Sequence, residues 1–279
     1  MQLLIPAAGM GVRLGGTADH PVSKLLLPVL GQPLISHILQ MASAVAEFSR
    51  IIVVLGPDYE TAFRTIRNVA SGILWNSDTE VVCVKNSNYK STNVAYSLYL
   101  VRRYLEGDVV IHNGDVLVTP ALFEKLVIRR RRIQRSNDSI GAWVLAEKTS
   151  TIPEYQTKIV ADDKGVVIEI GKTVSSGPNG LYMDLCCLTS QATSIFRDEL
   201  CTFVRRGQLN AFYSEALNGL ASRLLLGTVW SEGLPWFELD KTQDLERLSL
   251  VAPEIVRQIS RRKLGSVAKV TSVDGSTLQ

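Results

Sequence analysis

The sequence is short of several things that would direct its reading. Its four cysteines, Cys83, Cys186, Cys187 and Cys201, sit in apolar runs without C-x-x-C spacing, which argues against a zinc centre or a redox dithiol. Its three histidines, His20, His37 and His112, show no metal-ligand spacing. No apolar run reaches the roughly 18 residues that a bilayer span requires. No basic segment precedes the apolar Leu3-Leu4-Ile5, and Pro6 follows at once, so no signal peptide is expected. A surplus of charge is missing too: 30 Lys+Arg against 27 Asp+Glu give a formal net charge of +3 over 279 residues, far from the strongly basic balance of a nucleic-acid-coating protein. These absences leave a reduced, cytoplasmic protein with neither a membrane nor a nucleic acid as partner. What is present, 46% hydrophobic and 20% charged residues, is globular composition at a length that buries a sizeable core.

Up to about residue 120 the chain alternates short β-branched runs with longer helical patterns. Strands are predicted at Gln2-Ile5, Arg50-Leu55, Glu80-Lys85 and Asp108-His112, with helices at Pro33-Ala46, Asp58-Ala70 and Asn93-Leu105 between them. Repeated strand and helix imply a parallel sheet covered on both faces, with ligands at the carboxyl ends of the strands. From about 136 strands dominate: Ser139-Ala146, Thr157-Val160, Val166-Ile170 and Leu181-Leu188, with Asp162-Asp163-Lys164-Gly165 as a hairpin turn. Helical patterns follow near 190–206 and 212–226, then a strand at Thr228-Ser231, the segment Trp236-Phe237-Glu238-Leu239-Asp240 and a last helix from Lys241. No repeat or Pro/Ser-rich linker divides the chain. The expected organisation is one domain over 1–262, with a first half at 1–120 and a later half at 136–240 that supplies a lid or substrate subsite, and a mobile Gly/Ser/Thr/Lys-rich tail at 263–279.

The first strand runs into Pro6-Ala7-Ala8-Gly9-Met10-Gly11-Val12-Arg13-Leu14-Gly15. Small residues let backbone N–H groups approach a phosphate chain, and an arginine in the same loop adds a bidentate anion clamp. The loop lacks the Gly-Lys-Ser/Thr of a Walker motif, and Leu14 stands at the sixth position of G-x-G-x-x-G. Glycines alone leave a plain tight turn open. The continuation Lys24-Leu25-Leu26-Leu27-Pro28-Val29-Leu30-Gly31-Gln32-Pro33-Leu34-Ile35 narrows the choice. Strand, A-A-G-x-G-x-R-L turn, lysine and L-P-V-x-G-x-P-L-I together resemble the signature of the nucleotidyltransferase family that joins an NTP to a phosphate ester. The resemblance implies a Rossmann-like α/β fold, with a mixed, mainly parallel sheet flanked by helices and a strand-rich insertion on the acceptor side. It implies that Ala7, Ala8, Gly9 and Gly11 wrap the nucleotide, that Arg13 meets the outgoing phosphates, and that Lys24 contacts the reacting centre. In the family the lysine directly follows a proline; here Val22-Ser23 separates Pro21 from Lys24.

Asp115 follows the predicted strand Asp108-His112 in Asn113-Gly114-Asp115, an acid at a strand's carboxyl end. Trp236-Phe237-Glu238-Leu239-Asp240-Lys241-Thr242-Gln243-Asp244-Leu245 is similar to the family's W-x-E-[IL]-D segment. The resemblance implies that Asp115 and Asp240 hold one Mg²⁺, which suits an ion that takes few carboxylates plus phosphate oxygens and water. Alone, Asp240 also fits a helix N-cap. Strand alternation puts Trp236, Glu238 and Asp240 on one face.

The run Thr92-Asn93-x-x-x-Ser97-Leu98 opening a helix is similar to that of the cytidylyltransferases acting on phosphocholine and 2-aminoethylphosphonate, which implies base recognition by Ser91 and Thr92 and a contact of Asn93 with substrate or ribose. The stretch Gly180-Leu181-Tyr182-Met183-Asp184 resembles the acceptor-lining G-x-Y-x-G, with Asp184 where a glycine is common. Tyr182, Trp236 and Glu238 are the remaining substrate candidates. The expected reaction is transfer of CMP from CTP to a phospho-alcohol or phosphonate with release of pyrophosphate. The partners are then CTP and a small phosphate ester or phosphonate, with a homodimer compatible with them. A sugar-1-phosphate nucleotidyltransferase and a non-catalytic nucleotide sensor are the alternatives. The Arg129-Arg130-Arg131-Arg132 run reads as a solvated helix face.

Overall fold

The computed structural model describes residues 1–17, 19–45, 48–73, 79–133, 140–223, 225–261 and 269–274. In chain order the strands are β1 (Gln2–Ala7), β2 (Pro28–Val29), β3 (Gln32–Pro33), β4 (Arg50–Leu55), β5 (Glu80–Lys85), β6 (Val109–His112), β7 (Val116–Val118), β8 (Ile140–Lys148), β9 (Lys158–Ala161), β10 (Val167–Gly171), β11 (Gly180–Leu188), β12 (Leu225–Trp230), β13 (Trp236–Glu238) and β14 (Lys269–Asp274). The helices are α1 (Leu34–Val45), α2 (Tyr59–Gly72), α3 (Val94–Leu100), α4 (Pro120–Ile133), α5 (Ser190–Arg205), α6 (Tyr213–Ala221) and α7 (Asp244–Ser260). Among the described residues no helix is long and apolar enough to cross a membrane.

The result is the expected Rossmann-like arrangement, a mixed sheet of ten strands flanked by helices. β6, β1, β4, β5 and β14 run parallel side by side. β11 then lies antiparallel to β6 and carries the sheet into β9, β10 and β8, while β12 adds to β8 in parallel. Side chains alternate in direction along each strand, so the continuous apolar runs feed two cores at once. Leu3, Ile5, Ile51, Val53, Val81 and Cys83 face α1, α2, α4 and α7. Leu4, Ile52, Val54, Val82, Val84 and Ile111 face α3, α5 and α6. Helix α2 shows why such segments are helical: Tyr59, Ala62, Ile66 and Ala70, at i, i+3, i+7 and i+11, form the one buried stripe of an otherwise polar segment.

Three expectations need correction. The helix begun at Asn93 stops at Leu100 and gives way to a 3₁₀ turn at Arg102–Tyr104, because Val101 already leaves helical geometry. The last helix starts at Asp244 rather than Lys241. Within the tail expected at 263–279, residues 269–274 form β14, paired with β5 from Lys269↔Glu80 to Asp274↔Lys85. The pattern Val270, Ser272, Asp274 against Lys269, Thr271, Val273 is a weak strand signal, and the free edge of β5 supplies what the sequence does not advertise. The rest of that tail lies outside the described residues.

Candidate active site

β1 ends in the small-residue loop at the carboxyl edge of the sheet. Gly11 has φ 61°, and a Cβ there would stand 2.4 Å from the Val22 carbonyl oxygen, so only glycine fits. The loop is tied to the following segment by Val22 N–H donating to Met10 O at 2.9 Å. At Gly9 nothing stands within 4 Å of the Cβ direction, leaving its backbone open to a ligand. The short turn Val12–Leu14 then presents the Arg13 side chain, about half exposed.

Asp115 and Asp240 are brought together by a ladder that sequence reading missed. β7 pairs antiparallel with β13, Val116↔Glu238 through Val118↔Trp236. The residue before β7 and those after β13 are therefore neighbours, and Leu239 N–H donates to Asp115 O at 2.8 Å. The apolar Val116-Leu117-Val118 was the available signal. Lys24, held in a 3₁₀ turn by the buried Leu25, reaches between the two acids, with Nζ 2.8 Å from Asp115 Oδ2 and 3.2 Å from Asp240 Oδ1. Arg13 Nη1 stands 2.5 Å from Asp240 Oδ2. Burial lowers the Lys24 pKa, but Asp115 and Asp240 outweigh it and hold the group above its ordinary 10.5, fully charged at neutral pH. The N-cap reading of Asp240 is overturned: the Asp244 carboxylate accepts the N–H groups of Asp240 (3.0 Å) and Lys241 (2.7 Å), and the Asp240 carboxylate turns to the two cations.

The site fits a divalent cation in one specific respect. Two carboxylates converge on a single positive group, and Asp115 Oδ1 is buried without a hydrogen-bond partner. Among the described residues no group of three or more His, Cys, Asp or Glu side chains is arranged to hold a metal. Phosphate oxygens and water would have to complete the shell, the coordination Mg²⁺ accepts.

A cavity of about 440 Å³ opens in front of these groups. Its walls include Ala7, Ala8, Gly9, Gly11, Arg13, Lys24, Thr92, Asn93, Asp115 and Glu238, all anticipated from sequence. Asn86 organises the Thr92 side, its Nδ2 donating to Thr92 Oγ1 (3.2 Å) and Ser97 Oγ (3.1 Å). Asn93 caps α3, its side-chain oxygen accepting Val94 N–H at 2.8 Å. Ser91 does not line the cavity; its hydroxyl donates outward to Asn88 O at 3.3 Å.

Two aromatic candidates also fall away. Tyr182 is buried in the core behind the cavity, its hydroxyl 2.8 Å from that of Tyr213. Trp236 donates its indole N–H to Glu147 Oε2 at 2.9 Å, away from the cavity that Glu238 lines two residues later. The alternation puts Trp236 and Glu238 on one face of β13, but the cavity ends short of Trp236.

Lys172, Tyr213, Ser214 and Asp184 line the cavity without having been assigned a role from sequence. Between the pairs Tyr182↔Ala146 and Cys186↔Val144 strand β11 advances four residues while β8 advances two, a bulge with Asp184 in it at φ 54°. That is the left-handed conformation glycine adopts freely and Asp tolerates, which accounts for a glycine being common there. Burial, together with Asp115 and Asp240, pushes the Asp184 carboxyl up to about 7, against the opposing pull of Lys172 and Lys24. Burial and the neighbouring Asp184, Asp115 and Asp240 push Glu238 to about 8. His112, fully buried, is held neutral by desolvation, its pKa down to about 4. Of the arginine run, Arg129 is exposed; the side chains of Arg130 to Arg132 lie outside the described residues.

Comparison with known proteins adds three findings. Residues 3–156 match the family described as MobA-like NTP transferase domain. The chain is 31% identical over 126 residues to a CMP-5'-(3-aminopropyl)phosphonate synthase of Streptomyces rubellomurinus, covering 45% of this chain and 19% of that protein. It is 33% identical over 130 residues to a 2-C-methyl-D-erythritol 4-phosphate cytidylyltransferase of Synechococcus sp., covering 45% and 50%. The alignments thus span half or less of these relatives' length. Among solved structures, a CTP:phosphocholine cytidylyltransferase from Streptococcus pneumoniae superimposes with TM-score 0.70 at 18% identity, over 90% of this chain and 98% of that one. This last likeness is one of fold.

Proposed function

The chain belongs to the MobA-like NTP transferase domain family, and from that premise we propose that it transfers CMP from CTP to a small phosphate ester or phosphonate, releasing pyrophosphate. The observation that carries the reading is the charge constellation at the mouth of the glycine loop: Lys24 between Asp115 and Asp240, with Arg13 on Asp240; Arg13, Lys24 and Asp115 line the 440 Å³ cavity, and Asp240 is buried behind them. The choice of CTP draws support from the relatives, which are named for cytidylyl and CMP transfer. An aminoalkylphosphonate-type acceptor draws support from the first of them.

An acceptor phosphate or phosphonate oxygen attacks the α-phosphorus of the nucleotide. The new P–O bond forms as the bond from the α-phosphorus to the bridging oxygen breaks, and pyrophosphate leaves. The attacking oxygen is already ionised at neutral pH, so alignment and charge neutralisation suffice and no general base is needed. The backbone of Ala8 to Gly11 cradles the phosphate chain. Arg13, half exposed, is free to swing from Asp240 to the β and γ phosphates. Lys24 neutralises charge on the α-phosphate. Asp115 and Asp240 would hold Mg²⁺, which supplies Lewis-acid polarisation of the phosphate oxygens. Thr92 and Asn93, at the start of α3, face the base and ribose. The same reading takes the enzyme as cytoplasmic, in keeping with the unoxidised thiols of Cys83, Cys186 and Cys201.

The test is pyrophosphate release measured with each NTP against phosphocholine, aminoalkyl phosphonates, methylerythritol phosphate and sugar 1-phosphates. CTP with a non-sugar acceptor is expected to stand out. Signal confined to sugar phosphates would replace the acceptor class, and no signal with any pair would remove the enzymatic reading.

A further inference from the structure

The two acids that would hold a divalent cation already have cations of the chain's own. The Lys24 ammonium stands between them, 2.8 Å from Asp115 Oδ2 and 3.2 Å from Asp240 Oδ1, and Arg13 Nη1 takes the other Asp240 oxygen at 2.5 Å. Asp240 is 3% exposed, so its charge is balanced by those cations rather than by water. Lys24 is held there by the backbone: the buried Leu25 anchors the 3₁₀ turn Lys24–Leu26, and Leu27 N–H donates to Lys24 O at 3.2 Å. Two carboxylates against two cations leave the cluster neutral. A divalent cation added to it would face both positive groups at close range, where burial leaves their repulsion weakly screened. The ion and the ammonium also compete for the same atoms, because Asp115 Oδ2 and Asp240 Oδ1 are the oxygens through which one cation bridges the two acids. Asp115 Oδ1, buried without a hydrogen-bond partner, is left over, and one oxygen does not make a site. Among the described residues no group of three or more His, Cys, Asp or Glu side chains compensates. Arg13 and Lys24 both line the cavity, so an anion entering it can draw them off the acids.

We propose that Lys24 and the divalent cation exclude each other at Asp115 and Asp240, so that the nucleotide-free protein takes up no metal and a bound triphosphate opens the metal site by drawing Lys24 and Arg13 onto its phosphates. The inference rests on the nucleotidyl-transfer reading for the identity of that anion. It goes further by giving Lys24 a second role, as an internal counter-ion that makes metal uptake conditional on nucleotide. The coupling is reciprocal: whatever the nucleotide adds to metal affinity, the metal adds to nucleotide affinity.

The experiment titrates Mn²⁺, a paramagnetic stand-in for Mg²⁺, into the nucleotide-free protein and follows the EPR signal of the free ion. Wild type is expected to leave that signal as it is in buffer. Lys24→Met, which keeps a long side chain and removes its charge, is expected to take up one Mn²⁺ per chain about 10- to 1,000-fold more tightly, the span by which one unit charge a few ångströms away shifts an ionic equilibrium. Lys24→Gln repeats the test with a polar side chain should methionine disturb the fold. Lys24→Arg keeps the charge and should behave as wild type, and Lys24→Met/Asp115→Asn should lose the uptake again. With α,β-methylene-CTP added, wild type should give the spectrum of Mn²⁺ held by protein and nucleotide together, and Asp115→Asn only that of the Mn²⁺–nucleotide complex. Wild type that binds Mn²⁺ unaided as tightly as Lys24→Met, uptake by Lys24→Arg equal to that of Lys24→Met, uptake that survives in the double variant, or one spectrum common to wild type and Asp115→Asn each overturns the inference. Pyrophosphate release is scored separately. Release by a wild type that binds Mn²⁺ unaided overturns the inference and leaves nucleotidyl transfer standing, whereas no release with any NTP and acceptor removes that reading while the nucleotide-free titration still decides whether Lys24 excludes the metal.

Discussion

Asp184 gives the structure a pH-dependent stability that can be worked out in advance. Its carboxyl is pushed from an ordinary 3.8 to about 7, first by desolvation and then by Asp115 and Asp240. The folded protein therefore holds this proton where the unfolded chain has already released it. The associated stability is complete below about pH 4, declines as pH rises toward 7, and is gone above it. A displacement of that size corresponds to on the order of 4 kcal/mol, entering at about 1.4 kcal/mol per pH unit. Glu238, pushed to about 8, adds a second loss of the same sign. Chemical denaturation of wild type should thus give a midpoint that falls between pH 5 and pH 8 by more than the rest of the chain's titration explains. Asp184→Asn removes one titrating group and relieves the other, so its profile should be flatter, and its stability at pH 8 should equal or exceed that of wild type. Parallel wild-type and Asp184→Asn profiles, or a wild type that gains stability from pH 5 to 8 through this residue, would refute the argument.

Other outcomes follow from the same geometry. Asp115→Asn removes a charge facing Lys24 and should lower turnover by roughly 10²–10³-fold with a far-UV spectrum like wild type; near-normal turnover would take Asp115 out of the site. Gly9→Ala meets no protein atom within 4 Å and should fold normally, but with a raised nucleotide KM, because its methyl stands where phosphates approach. Gly11→Ala puts a methyl 2.4 Å from Val22 O at φ 61° and should cost on the order of 1–3 kcal/mol in denaturant titration. Trp236→Phe loses the hydrogen bond to Glu147 and no cavity contact, so its kcat/KM should stay within a few-fold of wild type while its midpoint drops slightly.

How legible the molecule was can be judged from where the reasoning succeeded. Strands β4 and β5 match their sequence-based bounds to the residue, because runs buried on both faces leave no ambiguity of period or edge. The glycine loop, Arg13, Lys24 and the two acids were legible because each sits at a strand end or tight turn whose chemistry is local. Their convergence was not, since it depends on the β7–β13 ladder, a pairing of three residues each across more than a hundred positions. Asp184 drew notice as the wrong residue for its motif, yet only the bulge in β11 reveals the left-handed backbone that explains it. Tyr182 misled because an aromatic residue near a motif says nothing of which side of the strand meets the cavity, and Trp236 because the cavity ends short of it. β14 was missed because its pattern is weak and its partner is a sheet edge.

The central claim is tested most directly by ³¹P NMR of one mixture: the protein with CTP, Mg²⁺ and an aminoalkyl phosphonate. The account predicts that the triphosphate resonances decay while pyrophosphate and a mixed phosphate–phosphonate anhydride appear in equal amounts. CTP left intact, or decay to CMP and pyrophosphate without a conjugate, would contradict it.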